Sequence, residues 1–319
     1  MKKQINLCET IKPDYMPGTG LQVQLMDIRH IQPHRHNDAV EMLYCLQGHV
    51  WGHIAHDELH LRTGDLVTFD RDDAHNIMAD KDNLCLVVHI DLNHPDYTHD
   101  ELSETIFSCT THPNFTRHPD DVQRVCDMLL AAIYTAAGQQ EEKATICEDI
   151  HLNLVDILMR RFSWFSIADE YIEGEDKYAD RFRMIVKYIL NNYRRKTTIA
   201  ELSKIIYLNP SYISSFMKRT TFHSFSEAVN YFRCFYAEHL LLETGLPVGE
   251  ISAMAGFSSE KYFYRAFKMH WRTTPLQHRK EYARLAQIRE EYYEYSPDEA
   301  NEIIKDYIAA RQVEKARFT

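Results

Sequence analysis

The sequence predicts an α+β protein of two domains, in which a β-barrel with a helical hairpin precedes an all-helical region. Short apolar runs that alternate with polar residues fill the stretch from Leu21 to Asp91, and Gly and Asp separate them, as is typical of strands joined by turns. Beyond Tyr178 the apolar residues recur at helical spacing instead. With 319 residues the chain is long enough for two separate hydrophobic cores.

Charge is distributed unevenly along the chain. The formal net charge is −11, which for the chain as one object argues against binding nucleic acid. Between Tyr178 and Lys280, however, 16 Lys and Arg accompany 7 Asp and Glu, a net charge of +9, whereas the remainder carries −20. A basic block inside an acidic chain is the pattern expected of a module that binds phosphate groups.

The first domain is predicted from strand-like runs that include residues 21–28, 41–46, 50–55, 66–69 and 84–90. Many short strands joined by turns favour a β-barrel or jelly roll, and a barrel of this size encloses one small ligand. Two amphipathic helices, over residues 119–138 and 141–165, are expected to form an antiparallel pair. The acidic segment 168–177 lacks apolar periodicity and is predicted to be a linker.

Four polar residues inside the predicted barrel have a spacing that suggests a common site. His34, His36 and Glu41 form a His-x-His-x4-Glu pattern, and His75 follows eleven residues after Gly64. Side chains at i and i+2 of an extended segment point the same way, so His34 and His36 can converge. The pattern resembles the two cupin motifs, and that resemblance implies a divalent metal held by these four residues.

Three interpretations of the four residues stay open. They hold a metal such as Zn, Ni, Fe or Mn, they line an effector pocket and hydrogen-bond a polar ligand such as a sugar, or some are satisfied residues at the barrel mouth. Tyr44 and Trp51 either supply a stacking wall for the same ligand or belong to the core.

The cysteines and the first residues bear on localisation. Seven Cys are scattered without a Cys-x-x-Cys pair, as expected of buried thiols in a reducing cytoplasm. No apolar run follows Lys2 and Lys3 to make a signal peptide. No stretch of roughly 18 apolar residues predicts a membrane span.

The basic block contains two predicted helix-turn-helix units. In the second unit Gly256 permits the turn and Ser259 caps a helix whose buried stripe is predicted to be Tyr262, Phe263, Ala266 and Phe267. In the first unit Thr198 caps a short helix and Ser211 opens the next. A helix over residues 225–244 joins the two units. The residues predicted to face outward toward DNA are Ser211, Ser214, Ser215, Lys218, Lys261, Tyr264, Arg265 and Lys268.

Residues 181–280 resemble the paired helix-turn-helix domain of the AraC/XylS family of transcription regulators. The matching residues are Arg233, Ala237, Leu241, Ile251, Gly256, Phe257, Tyr262, Phe263, Arg265, Phe267, Lys268, Thr274, Pro275 and Arg279. The family usually has a glycine after each recognition helix, where this chain has Phe222 and Arg272. The resemblance implies two readers in successive major grooves, an effector-binding barrel, and a helical pair that forms a homodimer.

The expected organisation is an effector-binding and dimerisation domain over residues 1–167, a linker over 168–177, a DNA-binding domain over 178–281 and a helical extension over 282–319. The expected function is a cytoplasmic regulator, in the family's habit an activator, that binds promoter DNA and engages RNA polymerase. One alternative is a metal-dependent cupin enzyme that uses His34, His36, Glu41 and His75. Another is a constitutive architectural DNA-binding protein with an empty barrel.

Overall fold

A computed structural model describes residues 5–54, 57–93, 102, 105–111, 118–163, 175–220 and 222–317. The chain divides into two compact units. The barrel unit comprises Thr10–Trp164 and Arg289–Thr319, and the helical unit comprises Met1–Glu9 and Phe165–Ile288. The predicted linker lies outside the described residues as far as residue 174, and from Glu175 onward the chain is helical.

The barrel is an antiparallel, nearly closed sheet, as predicted. Its strands are β1 (Glu9–Thr10), β2 (Leu21–Arg35), β3 (Ala39–Gln47), β4 (His49–Ile54), β5 (Asp57–Arg62), β6 (Leu66–Phe69), β7 (His75–Met78), β8 (Leu84–Asp91) and β9 (Glu291–Glu294). Among the described residues the main path runs β5, β4, β7, β2, β8, β3, β6, and β1 and β9 each pair with β2. β7 is a strand that the sequence patterns did not reveal.

The two faces of β2, β3, β6 and β8 contribute to two different cores, because successive side chains of a strand point to opposite sides. On β3, Leu43 and Cys45 lie in the barrel interior with Phe69 and Ile77. Alternate residues of the same strands form a larger core with the helices that cover the barrel. The polar cluster described below is inside the barrel, on the face of β3 that carries Leu43.

Three helices cover the outside of the barrel. Helices α1 (Pro119–Ala137) and α2 (Lys143–Ile157) form the predicted pair, and α2 continues as a π-helical turn over Leu158–Phe162. Helix α10 (Pro297–Arg317), at the end of the chain, packs on α1 and contributes buried Ala300 and Ile304 to the same core.

The prediction that residues 282–319 form a helical extension is wrong in part, because this segment contains a strand as well as helices. The last helix of the DNA-binding domain ends at Leu285, and Glu291–Glu294 form β9, paired with residues 26–28 of β2. Aromatic residues favour strands, and the backbone groups of β9 find partners on β2, so pairing prevails over helix extension here. The predicted 282–319 extension is thus divided between the two units.

The helical unit contains the predicted pair of helix-turn-helix motifs. Its helices are α3 (Glu175–Asn192), α4 (Ile199–Ile206), α5 (Pro210–Met217), α6 (Phe225–Glu243), α7 (Val248–Met254), α8 (Glu260–Trp271) and α9 (Pro275–Leu285). Helices α4 and α5 form the first motif, α7 and α8 form the second, and α6 joins them. Among the described residues, no helix is both long enough and apolar enough to cross a membrane.

Candidate functional site

The strand register brings the predicted polar residues of the barrel together. His34 on β2 is paired with His75 at the start of β7, and Glu41 on β3 is paired with His89 on β8. His36 follows the end of β2. We call these five residues the histidine cluster. All five are buried.

Four imidazoles converge on a single carboxylate oxygen. The Nε2 atoms of His36, His89, His75 and His34 lie 2.9, 3.1, 3.2 and 3.3 Å from Glu41 Oε2. One oxygen cannot be the acceptor for four ring N–H groups at once with good geometry. Some of these contacts therefore need an explanation other than a hydrogen bond.

In three of the four rings, a backbone carbonyl oxygen next to Nδ1 fixes the tautomer. The Nδ1 atoms of His34, His36 and His75 lie 2.9, 2.8 and 2.9 Å from the backbone oxygens of Gln32, Ile11 and Asp73. A carbonyl oxygen only accepts, so each Nδ1 carries the proton, and each Nε2 of a neutral ring turns a lone pair toward Glu41. We call these rings the three anchored imidazoles.

The protonation of the cluster follows from burial and from mutual proximity. Burial alone would raise the pKa of Glu41, but its close contacts with His75, His34 and His36 outweigh burial and hold the pKa well below its usual range. Burial, reinforced by His34, lowers the pKa of His75 to about 4. Burial also opposes the charged form of His34, yet the contact with Glu41 raises its pKa. The carboxylate is therefore ionised, and at neutral pH His75 carries no charge.

The donor set fits a divalent metal ion. One ligand atom from each of His34, His36, Glu41 and His75 lies within 4.8 Å of the others. Ligand bonds of about 2.0–2.2 Å place the atoms around one ion roughly 3–4 Å apart, which agrees with the distances above. An ion would also satisfy the lone pairs that face the carboxylate. Imidazole with carboxylate suits Zn, Fe, Ni, Co or Mn, whereas Ca and Mg prefer oxygen alone.

His89 is a member of the cluster that the sequence motif does not contain. A sequence pattern was available, because Cys85, Val87 and His89 occupy one face of β8 by strict alternation, and the first two lie in the barrel interior. His89 comes fourteen residues after His75. Only the pairing of β3 with β8 brings it to Glu41.

The structure separates Tyr44 and Trp51 from the cluster. Tyr44 is on the opposite face of β3 from Glu41, in the core beneath the helices, and its hydroxyl accepts a hydrogen bond from Arg311 of α10 at 3.2 Å. Trp51 faces outward on β4, between the interior residues Val50 and Gly52, and stacks on His60 with 5.1 Å between ring centroids. The interpretation that both rings wall the ligand pocket therefore fails on strand alternation, and the alternative that they belong to the core holds for Tyr44 only.

The second helix of each motif begins at a capping residue, and a glycine turn precedes α8. Ser259 caps α8 as predicted, whereas α5 is capped by Asn209, one residue before Pro210, and Ser211 follows inside the helix. Gly256 has φ +85°, and a Cβ there would lie 2.4 Å from the Arg194 backbone oxygen. Only glycine fits this turn without displacing the backbone.

The residues predicted to contact DNA lie on the outer faces of α5 and α8. Ser211 and Ser215 are exposed on α5, and Lys218 is exposed directly after its end. Ser214 is half-buried, and its hydroxyl donates to the Pro210 oxygen at 3.0 Å. On α8, Lys261, Arg265 and Lys268 are exposed and Tyr264 is half-buried. The structure thus keeps both predicted outward rows on the surface.

Tyr262 was placed in the buried stripe of α8, and this prediction is wrong. The buried stripe consists of Phe263, Ala266, Phe267 and Trp271, whereas Tyr262 is 60% exposed. Tyr262 and Arg265 instead line a groove of about 630 Å³ with Ser226 and Asn230 of α6. Tyr262 is therefore an exposed residue of α8, accessible to any molecule that enters this groove.

Two arginines that match the family pattern act inside the unit. Arg233 donates to the backbone oxygens of Tyr193 and Arg195 at 2.6 and 2.9 Å. Arg279 donates to the backbone oxygens of Leu241, Thr244 and Leu246 at 2.9–3.2 Å. Both guanidinium groups hold helices to loops through hydrogen bonds to backbone oxygens. Their role is therefore to stabilise the helical unit, and neither group lies on α5 or α8.

Two domain families match the chain. The helix-turn-helix domain matches residues 202–281, and the cupin domain matches residues 24–91. The HTH-type transcriptional regulator YtdP of Bacillus subtilis, itself uncharacterized, is 30% identical over 108 residues, which are 34% of this chain and 14% of that protein. The lactose operon transcription activator of Staphylococcus xylosus is 20% identical over 160 residues, 50% of this chain and 55% of that protein.

Among solved structures, the C-terminal domain of AraT, a response regulator from Geobacillus stearothermophilus, is 29% identical and covers 31% of this chain and 83% of that chain, with a TM-score of 0.29. The aligned part of this chain spans less than two thirds of the curated relatives named above. Fold and site define a helix-turn-helix protein that carries a cupin barrel. The chain thus contains the two domains that the AraC-type resemblance in the sequence predicted, and the relatives named above are transcription regulators.

Proposed function

We propose that the chain is a ligand-responsive, sequence-specific regulator that binds promoter DNA through α5 and α8 and an effector through the histidine cluster. The observation that carries this proposal is the outer row of α8, where Lys261, Arg265 and Lys268 stand exposed on a helix fixed by a cap and a glycine turn. Exposed basic residues on such a helix suit base edges and phosphates of a major groove.

Further features of the function are inferred from the same arrangement. Joining α5 and α8 through one continuous helix favours readers in successive major grooves, one helical turn apart. The lactose operon transcription activator among the relatives supports an activating role in carbohydrate metabolism. Contact with RNA polymerase is proposed as part of that role. A homodimer in the cytoplasm is the proposed working form.

The barrel is proposed as the effector site. Its buried polar cluster offers donors and acceptors to a sugar or another hydroxylated ligand. A divalent ion held by the three anchored imidazoles and Glu41 would supply free coordination positions to such a ligand. A ligand changes DNA binding only through different affinities for two states of the protein.

Replacing Arg265 by Ala tests the DNA-binding role. The variant should lose operator affinity by about 1–3 kcal/mol if Arg265 contacts a base, and much less on unrelated DNA. Lys305→Ala, which removes one exposed charge from the barrel unit, is the matched control and should leave both affinities unchanged. Gel-shift titrations of the full chain on upstream fragments of its own genome supply the measurement. If the wild type prefers no fragment at low or moderate salt, the proposal fails.

A metal-dependent enzyme is the second candidate, and the histidine cluster is the observation that favours it. Three imidazoles and a carboxylate also occur at catalytic centres. Chelator treatment of the full chain separates the two functions. Turnover of a small substrate that is lost with the metal, while DNA binding persists, would favour the enzyme.

A further inference from the structure

His89 differs from the three anchored imidazoles in the surroundings of its second ring nitrogen. Its Nδ1 is buried and has no hydrogen-bond partner among the described residues. With no carbonyl oxygen to hold a proton on Nδ1, the proton of neutral His89 can sit on Nε2, 3.1 Å from Glu41 Oε2. His89 is thus the ring in the cluster whose tautomer allows a hydrogen bond to the carboxylate.

The mutual distances of the ligand atoms also distinguish His89 from the candidate metal ligands, although its Nε2 is as close to Glu41 Oε2 as theirs. The group whose ligand atoms lie within 4.8 Å of one another contains His34, His36, Glu41 and His75, and His89 is outside it. A ring that carries its proton on Nε2 has no lone pair on that atom to give to an ion. His89 therefore faces Glu41 as a donor, whereas the anchored imidazoles face it with lone pairs.

We propose that His89 is a positioning residue, which donates its Nε2–H to Glu41 Oε2 and orients that carboxylate to share a divalent cation with the three anchored imidazoles. A buried carboxylate without a donor can rotate about its last torsion. With the donor in place, one carboxylate orientation is selected before the ion arrives. Partners of this kind commonly tune metal affinity by 10- to 100-fold (roughly) without touching the ion.

The assignment of His89 depends on the proposed function only in taking the histidine cluster as the binding site of the barrel. Metal binding and DNA binding are therefore measured separately, so that the failure of one proposal can be told from the failure of the other. The probe is Co(II), added to the full chain after removal of metal by a chelator. Titration gives affinity and stoichiometry, and the visible absorption of bound Co(II) reports its ligands.

The variants are His89→Leu, which removes the donor, His89→Gln, which keeps an amide donor, and His36→Ala, which removes a ligand. His60→Leu, on the outer face of the barrel, controls for unspecific binding by histidine.

The wild type and His60→Leu should bind one Co(II) with the same affinity. His89→Leu should bind one Co(II) about 10- to 100-fold more weakly with an unchanged absorption band, and His89→Gln should recover most of the loss. His36→Ala should change the band or abolish binding. Should His89→Leu be recovered unfolded, His89→Met carries the same test.

Three results would overturn the proposal. The first is a wild type that binds no Co(II). The second is His89→Leu with wild-type affinity, and the third is His89→Leu with the altered band of His36→Ala, which would make His89 a ligand. Operator affinity of the metal-free variants should match that of the metal-free wild type. Loss of all operator preference in the wild type would instead refute the regulator and leave the assignment of His89 standing.

Discussion

At the scale of single residues, Asp70 is a buried carboxylate with an incomplete set of partners. Its Oδ2 accepts from the Phe107 backbone N–H at 3.2 Å, while Oδ1 has no hydrogen-bond partner among the described residues. Burial raises the pKa of Asp70 from 3.8 to about 6, against the opposing charge of Arg71. The folded protein therefore binds a proton at Asp70 that the unfolded chain releases near its ordinary pKa.

Asp70→Asn should stabilise the protein at neutral pH and remove one source of pH dependence. Because the folded pKa lies above the unfolded pKa, the contribution of protonated Asp70 is fully present below about pH 4 and is lost as pH rises through about 6. A shift of about two pKa units corresponds to at most roughly 3 kcal/mol. Urea unfolding of both proteins in chelator at about pH 5 and pH 7.5 measures the effect. Equal differences at both pH values would contradict the assignment.

At the scale of elements, both helix-turn-helix exits use residues other than the glycine typical of the family. Arg272 ends α8 with φ 50°, and His223, next to Phe222, has φ 55°. Both residues are therefore in the left-handed region, where a side chain costs roughly 1–2 kcal/mol. In the second motif the left-handed residue, Arg272, is at the position where the family usually has glycine, whereas in the first motif it is His223, one position after Phe222.

Arg272→Gly should raise the free energy of unfolding of the helical unit by about 0.5–1 kcal/mol, because glycine enters the left-handed region without steric cost but loses more entropy on folding. Arg272→Ala keeps the steric cost and removes the charge, so it is the matched control and should show no such gain. Thermal unfolding of the three proteins compares them. A gain in the Ala variant equal to that in the Gly variant would assign the effect to charge.

Periodicity alone predicted most elements, and the exceptions have physical reasons. Capping residues and the spacing of apolar residues predicted α1, α2, α4, α6 and α8, because both signals lie within the sequence of each helix. Strand β6 also has only four residues but is mostly apolar (Leu-Val-Thr-Phe), whereas β7 (His-Asn-Ile-Met) and β9 (Glu-Tyr-Tyr-Glu) begin with polar residues and show no apolar alternation. Strand β9 is stabilised by pairing with β2, far away in sequence. His34, His36, Glu41 and His75 follow from a spacing pattern, whereas His89 depends on strand register, which sequence spacing does not give.

At the scale of the whole molecule, the barrel unit is built from two separate parts of the chain. Its last part supplies β9 to the sheet and α10 to the outer core, where Ile304 is fully buried and Arg311 contacts both Tyr44 and Asp127. A fragment that stops at residue 167 lacks both elements. Ligand screens of the barrel therefore need the full chain rather than the amino-terminal fragment.

Ile304→Ala should destabilise the barrel unit by about 2–5 kcal/mol, because it deletes buried methyl groups and leaves a cavity among α1, α10 and the sheet. Ile303→Ala, one residue earlier on the half-buried face of the same helix, is the matched control and should cost clearly less. Hydrogen exchange by mass spectrometry separates the two units: protection should fall across β2, β3 and α1 and remain unchanged in α6 and α8. Equal losses in both units would mean that the end of the chain stabilises the molecule as a single cooperative body, and equal costs for the two substitutions would show that α10 does not pack through Ile304.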